Sequence, residues 1–327
     1  FHVGILFLSA APSISLLLMA ISSIFGSIKR KDKYFNDRYN LSFLLASILM
    51  IINCIFITTR PDFINNIDPS LVWIGILNWL PFFWLFWSFQ IYLKNRILRI
   101  QAAKFFLIGS FPVIFSGFTQ YFLGWYGPFK FFNNLIIWYQ RPLSDGAGVT
   151  GLFNNYNYAG AWLSIILALI IGLFFNEEKN KKLKFMILIS IFAFIYMIIL
   201  TTSRNALLAS LLTFILLVPI KRFKFLFISL FTGLLTLIIN LIPNLSSNVQ
   251  NTIFTFLPSS LLEKIELNSL SVFNSFPRIE LWLKAIKLIK TNLLIGYGGG
   301  SFSKFYDISN GKFEGMQHTH NIFLEIA

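Results

Sequence analysis

The sequence has 327 residues, of which 56% are apolar and only 12% carry a charge. Soluble domains carry about twice that charged fraction, so the composition excludes an ordinary water-soluble enzyme. A net charge of +14 is compatible with nucleic-acid binding. However, 16 of the 27 Lys and Arg residues lie in four short segments between apolar blocks, at 29–38, 94–104, 179–184 and 221–224. This is the positive-inside pattern of membrane proteins, so no nucleic-acid partner is expected.

The apolar blocks predict membrane-spanning helices, because a helix of about 20 residues crosses the ~30 Å hydrocarbon core. The blocks are continuous rather than alternating, which favours helices over barrel strands. Eight spans are predicted, at 3–28, 40–59, 71–93, 104–123, 158–175, 183–201, 205–220 and 223–242. A ninth begins near Asn321, so we expect the chain to be part of a longer protein.

The basic segments follow spans one, three, five and seven, which places them in the cytoplasm and the long loops 124–157 and 243–320 outside. We therefore predict an all-α fold, a polytopic transmembrane helix bundle with a large extracytoplasmic loop that bears short amphipathic helices. Residues 1–242 would form the bundle, 243–320 the extracytoplasmic loop region, and 321–327 the start of a further span.

The second long loop contains an amphipathic segment from Pro277 to Asn292. Apolar side chains are predicted on one face and lysines on another, namely Ile279, Trp282, Ile286 and Ile289 against Lys284, Lys287 and Lys290. This pattern is typical of a helix that lies at the membrane interface with its lysines extended towards water.

Four arginines fall on the predicted outer side, where the positive-inside bias disfavours them: Arg60, Arg141, Arg204 and Arg278. The guanidinium group is permanently charged and binds phosphate oxygens in pairs. Ser203 is a suitable N-cap, so Arg204 and the amides after it would form an anion site at a helix start. The alternative is that these arginines pair with lipid headgroups or with carboxylates such as Glu280, and that Arg60 only caps a helix end.

Two histidines, His318 and His320, stand where the second outer loop re-enters the membrane. An imidazole titrates near neutral pH and can accept a proton from a hydroxyl group. The spacing could also suit a metal, but no companion cysteine or acidic cluster is present, so no metal is predicted. The glycine-rich run 296–300 lacks the features of a phosphate loop and is interpreted as a turn. Cys54 is interpreted as a small core residue.

Three segments together resemble the O-antigen ligase and polymerase superfamily. The first is Gly151–Gly160, which contains Asn154 and Asn157 and has Tyr156 where the family has proline. The second is Thr202–Leu207. The third begins with Arg278 and Trp282, continues through Asn292 and the glycines after it, and ends at His320-Asn321. The resemblance covers about residues 140–327.

This resemblance implies a membrane glycosyltransferase of the GT-C kind in the bacterial inner membrane, active on its periplasmic face and without a cofactor. The donor would be a glycan on undecaprenyl diphosphate, and the acceptor either lipid A–core or another carrier-linked glycan. Arg204 and Arg278 would bind the diphosphate, and His320 would activate the acceptor hydroxyl. Six further residues would bind substrate, namely Arg141, Asn154, Asn157, Ser203, Trp282 and His318.

The motifs do not separate ligase from polymerase, and other classes stay open. A transporter or flippase of lipid-linked glycan, or of a small anion such as bicarbonate, would need charged residues along several spans. The predicted spans contain almost none. In a non-catalytic assembly subunit, Arg204, Arg278 and His320 would have no catalytic role.

Overall fold

The computed structural model describes residues 1–30, 34–59, 69–143, 148–177, 180–218, 277–293, 296–308, 318–321 and 324. These residues are mostly helical, with a single short β-hairpin among them. The α-helices are α1 (His2–Phe7), α2 (Pro12–Lys29), α3 (Arg38–Thr59), α4 (Pro69–Leu77), α5 (Leu80–Phe89), α6 (Arg96–Gly109), α7 (Phe111–Leu123), α8 (Tyr156–Asn176), α9 (Lys181–Leu200), α10 (Arg204–Leu217), α11 (Pro277–Thr291) and α12 (Phe302–Ile308). Short 3₁₀ turns occupy Tyr34–Asn36 and Gln90–Leu93.

Six helical segments of the described chain are long and apolar enough to cross a membrane. They are Pro12–Lys29, Arg38–Thr59, Ser70–Leu93, Arg96–Leu123, Tyr156–Asn176 and Lys181–Leu200. The predicted all-α polytopic fold class is therefore confirmed. The seventh predicted span corresponds to α10, a shorter apolar helix. The eighth, at 223–242, lies outside the described residues.

The first predicted span is wrong as a single helix, because residues 3–28 fold as two helices, α1 and α2. Helix α2 begins at Pro12, and the third and fourth spans are interrupted in the same way ahead of Pro81 and Pro112. Proline has no backbone N–H and its ring clashes with the preceding turn, so a helix restarts at proline more readily than it continues through it.

The fourth span also begins earlier than predicted, at Arg96 rather than at residue 104. Asn95 caps α6, since its side-chain oxygen accepts a hydrogen bond of 2.9 Å from the amide of Leu98. Arg99 and Lys104 therefore lie on a helix and not in a loop. Arginine and lysine have high helix propensity, so a helix can extend through them. The charged residues were therefore a poor guide to where this helix begins.

The chain forms two compact units. Unit 1 comprises residues 1–22 and 92–267, and unit 2 comprises residues 23–91 and 268–327. The predicted boundaries at 242 and 320 are not tested by this division and stay predictions.

In unit 1, α8 is the central element, and the residues along its middle are almost fully buried. Nineteen buried residues from α6 to α10 and the segment 149–152 form one hydrophobic cluster. The loop after α7 folds into the hairpin, in which β1 (Phe129–Phe131) pairs antiparallel with β2 (Ile136–Trp138). Trp138 anchors this hairpin, since its indole N–H donates to the carbonyl of Ala10 at 2.8 Å.

In unit 2, one small buried cluster joins α3 to α4 and another joins α11 to α12. The predicted amphipathic helix is confirmed as α11, but the predicted face is only partly correct. Leu281 and Ala285 are buried, whereas Ile286 is 39% exposed. The packing partner decides the buried face, because α12 presents Phe302 and Tyr306 to Leu281 and Ala285.

Candidate functional site

The backbone around Arg141 is fixed by hydrogen bonds to the buried side chain of Gln120 on α7. The Gln120 Oε1 atom accepts hydrogen bonds of 3.0 Å from the amides of both Thr150 and Gly151. Its Nε2 atom donates to the carbonyl of Arg141, and the amide of Arg141 donates to Thr150 Oγ1 at 3.0 Å. The backbone of Arg141 is thus held on both sides, while its side chain is exposed.

Gln140 makes a second buried set of hydrogen bonds beside the first. Its Oε1 atom accepts from the hydroxyl of Ser116 at 2.6 Å, and its Nε2 atom donates to Thr119 Oγ1 and to the carbonyl of Trp125. Buried amide side chains with both ends bonded fix a loop strongly, because each lost partner would leave a desolvated polar atom. Sequence reasoning missed both glutamines.

The starts of α8 and α10 meet through a side-chain hydrogen bond. The hydroxyl of Ser203 donates to Asn157 Oδ1 at 3.0 Å. Ser203 is the N-cap residue of α10, but its side chain makes no capping hydrogen bond, which corrects the predicted role of its oxygen. Asn155 caps α8 by accepting from the amide of Asn157 at 2.7 Å. The structure therefore brings Asn157 and Ser203 together, with Arg204 exposed at the first turn of α10.

Close backbone packing holds this pair of helix starts in place. A Cβ atom on Gly160 would lie 2.8 Å from Cβ of Ala206 and 2.9 Å from Cβ of Ser203. A Cβ atom on Gly148 would overlap the carbonyl group of Thr201. The segment after Arg141 therefore abuts the turn before Arg204, and Val149 donates from its amide to the carbonyl of Leu200 at 2.9 Å. Asn154 is exposed and lies two residues before the start of α8.

In unit 2, Trp282 links α11 to residues 318–321, the histidine segment. The indole N–H of Trp282 donates to the carbonyl of Thr319 at 3.1 Å. Thr319 is buried, and its hydroxyl donates to the carbonyl of Asn321 at 2.8 Å. The flanking His318 and His320 are exposed, and so is Arg278 at the first turn of α11.

The glycine-rich run is a compact turn against α4, as its interpretation from sequence expected. Gly296, Gly298 and Gly300 have positive φ, which glycine adopts without steric cost. A Cβ atom on Gly75 of α4 would overlap the carbonyl group of Gly299. The two backbones therefore touch without an intervening side chain.

Positive φ angles at residues other than glycine occur in the hairpin turn and at or beside the candidate site residues. Six non-glycine residues of the described chain have positive φ, and Phe132, Asn133 and Asn134 belong to the hairpin turn. The other three are Gln140 at 31°, Thr202 at 52° and His320 at 54°. A β-branched residue such as Thr202 is especially unfavourable there. Such strain costs about 1–3 kcal/mol per residue and occurs preferentially at functional sites.

Residues 189–327 match the sequence profile of the O-antigen ligase family. The match supports the O-antigen ligase superfamily, so the predicted resemblance to that superfamily is confirmed for this part of the chain. It spans less than half of the chain and includes Arg204, Arg278, Trp282 and His320, whereas the first motif at Gly151–Gly160 precedes it. Neither a curated protein nor a solved structure matches the chain.

The predicted site residues thus form two groups. Unit 1 holds Arg141, Asn154, Asn157, Ser203 and Arg204, and unit 2 holds Arg278, Trp282, His318 and His320. Arg60 lies outside the described residues. Within the described ranges, no group of three or more His, Cys, Asp or Glu side chains could hold a metal ion. Chemically, the two groups supply exposed guanidinium charge, helix starts suited to anions, and exposed imidazoles.

Proposed function

We propose that the protein transfers or polymerises glycan from an undecaprenyl-diphosphate carrier on the extracytoplasmic face of the bacterial inner membrane. The family match supports the coarser statement, an O-antigen ligase/polymerase-type role in membrane glycan processing. The single observation that best supports placing the reaction at the motif residues is the backbone strain at Gln140, Thr202 and His320. Gln140 directly precedes Arg141, and Thr202 is two residues before Arg204. His320 is itself expected to act on the substrate.

In the proposed reaction, an oxygen of the acceptor hydroxyl attacks the anomeric carbon of the donor glycan. The bond between that carbon and the carrier's diphosphate oxygen breaks, and the diphosphate leaves with the electron pair. Arg204 and Arg278 stabilise the negative charge that develops on the leaving group, which is electrostatic stabilisation of the transition state. His320 accepts the proton of the hydroxyl group as general base.

The remaining site residues bind or position substrate in this proposal. Arg141 and Asn154 expose side chains that could contact the diphosphate or the glycan. Asn157 and Ser203 orient each other through their hydrogen bond at the start of α10. Trp282 positions the histidine segment through Thr319, and His318 lies on that same segment.

The test is a transfer assay with purified full-length protein, an undecaprenyl-diphosphate-linked oligosaccharide and either lipid A–core or a second carrier-linked glycan. Arg204→Ala, Arg278→Ala and His320→Ala should each lower the rate by about 10²–10³-fold, as removal of a transition-state donor does. Arg99→Ala is the matched control, because Arg99 is an exposed arginine on α6. It should transfer glycan like the wild type.

The acceptor that is consumed distinguishes ligase from polymerase. Wild-type protein that transfers nothing, yet moves lipid-linked glycan or bicarbonate across liposome membranes, would overturn the proposal in favour of a transporter.

A further inference from the structure

The β-hairpin of unit 1 lies beside the last turns of a membrane span. The span Arg96–Leu123 ends with α7, and the chain turns back at once, since the amide of Trp125 donates to the carbonyl of Thr119 at 3.2 Å. The other end of the hairpin is tied to the same turns, because Gln140 bonds to Ser116 and Thr119. Ser116 is seven residues before the end of α7, about 10 Å along the helix axis. The base of the hairpin therefore lies where the span leaves the bilayer.

The strands of the hairpin are held by the protein, but its turn is not covered. Phe129 pairs with Trp138, and Trp138 packs against the hydrophobic cluster of unit 1 and bonds to Ala10. In the turn, by contrast, Phe132 is 78% exposed and Leu135 is 49% exposed. The hairpin therefore presents an apolar turn away from the core of the unit.

Phe132 combines exposure with an unfavourable backbone conformation. Its φ is 50°, and Asn133 and Asn134 after it also have positive φ. Asparagine is enriched in this conformation, whereas a bulky aromatic residue is an outlier there. The exposed ring also keeps a large apolar surface in contact with water. Asparagine or glycine would suit this position better, so the aromatic ring indicates a contact with something outside the chain.

The neighbouring exposed side chains indicate that this partner is a lipid bilayer. Trp125, Tyr126 and Phe131 are all exposed. Trp and Tyr are enriched where hydrocarbon meets headgroups, because each ring has an apolar body and a polar tip. Lys130 is exposed as well, and residues 121–143 contain no Asp or Glu. Apolar rings together with positive charge are the combination that suits a surface of phosphate headgroups.

We propose that the turn of the hairpin inserts into the headgroup region of the leaflet at this end of the span, with Phe132 and Leu135 in contact with the acyl chains. Interfacial segments of this kind reach about 5–10 Å into the boundary between headgroups and acyl chains. The hairpin is then a lipid anchor in addition to the spans. This role goes beyond the proposed function and does not depend on it, because neither donor nor acceptor takes part.

The test places a fluorophore on the turn through Phe132→Cys in the full-length protein, reconstituted in nanodiscs of phosphatidylethanolamine and phosphatidylglycerol. Cys54 is buried, and wild-type protein treated with the same thiol-reactive nitrobenzoxadiazole reagent gives the background. A lipid nitroxide near the headgroup should quench the label at least about twofold more than a nitroxide near the end of the acyl chain, because the insertion is shallow. Iodide in the water should quench it weakly.

Ile165→Cys is the matched control, because Ile165 is 62% exposed in the middle of the span formed by α8. Its label should be quenched more by the nitroxide near the chain end. Strong iodide quenching at position 132 without quenching by either lipid nitroxide would overturn the proposal. So would protection from iodide that requires a soluble oligosaccharide or several protein copies per disc, since the surface would then bind glycan or a second copy.

A second test compares two changes in the turn, with the label attached through Leu135→Cys. Phe132→Ser removes the ring and should lower quenching by the nitroxide near the headgroup by about half or more, because burial of the ring favours insertion. Asn133→Ser removes only a polar side chain and should leave quenching unchanged. Both residues are exposed, so both variants should unfold at the wild-type temperature.

Equal quenching in the two variants would show that the ring does not insert, and would overturn the proposal. Neither measurement involves glycan transfer. Failure of the proposed function would therefore leave these results as they are, and failure of the lipid anchor would leave the catalytic assignment to its own assay.

Discussion

The two regions that carry the motif residues are held in different ways. In unit 1, the backbone around Arg141 is bonded to a buried amide side chain, Gln120, and lies against a cluster of nineteen buried apolar residues. In unit 2, the buried clusters contain four residues each. There the support comes from the indole of Trp282 and from glycines that let backbones touch.

The comparison shows that a strained backbone conformation can be held by a large buried core or by close contacts between backbones. Thr202 is buried and its unfavourable φ is maintained by the surrounding packing. His320 is exposed, and its φ depends on the turn around Thr319. We therefore expect changes in unit 1 to affect stability most, and changes near His320 to affect activity more than stability.

The largest effect on stability is expected for Gln120→Leu. The change removes the acceptor of two buried amides, those of Thr150 and Gly151. Each unsatisfied buried group costs about 1–3 kcal/mol, so a total loss of about 2–6 kcal/mol is expected. Thermal unfolding of the purified protein in detergent would measure it. Gln101→Leu is the control, because Gln101 is exposed on α6, and it should change stability by less than about 0.5 kcal/mol.

An intermediate effect is expected from two glycines of the same helix, α8. Gly160→Ala would force apart the starts of α8 and α10 and should destabilise the protein by about 1–3 kcal/mol, as overpacking does. Gly172→Ala meets no atom within 4 Å and should be neutral or stabilise by up to about 1 kcal/mol through helix propensity. Equal melting temperatures for the two variants would show that α8 and α10 do not need this contact.

The smallest effect on stability is expected for Trp282→Phe, which keeps the ring but removes the donor to Thr319. One hydrogen bond contributes about 0.5–1.5 kcal/mol. Glycan transfer should nevertheless fall, because the histidine segment loses its anchor to α11. Trp73→Phe removes a comparable bond to Thr58 Oγ1 in the same unit and should leave transfer unchanged. If the two variants transfer glycan equally well, Trp282 does not position the site.

Hydropathy was sufficient to predict the polytopic helical fold, because burial in lipid dictates both the length and the composition of a span. It could not reveal the interruptions near Pro12 and Pro112, where the apolar character continues across the break. The buried face of α11 was also ambiguous. Leu281 and Leu288 form an apolar stripe beside the predicted one, and only the contact with α12 selects it.

The exposed members of the candidate site could be proposed from sequence, since Arg204 and Arg278 are cations on the side that the charge pattern predicts to be outside, where cations are disfavoured. Their supporting residues were not predictable in the same way. Gln120 and Gln140 act through partners that are distant along the chain or separated by a turn. A signal did exist for Gln120, because a glutamine inside the span predicted at 104–123 needs hydrogen-bond partners that lipid does not provide.

The contact between Gly75 and Gly299 has an evolutionary consequence. The restriction is one-sided, because a Cβ on Gly75 overlaps the carbonyl group of Gly299, whereas a Cβ on Gly299 would lie 3.4 Å or more from the backbone of Gly75. Alanine is therefore tolerated at this contact at position 299 but not at position 75. A descendant that gains alanine at position 75 must first move helix and turn apart, so the two positions are expected to diverge at different rates.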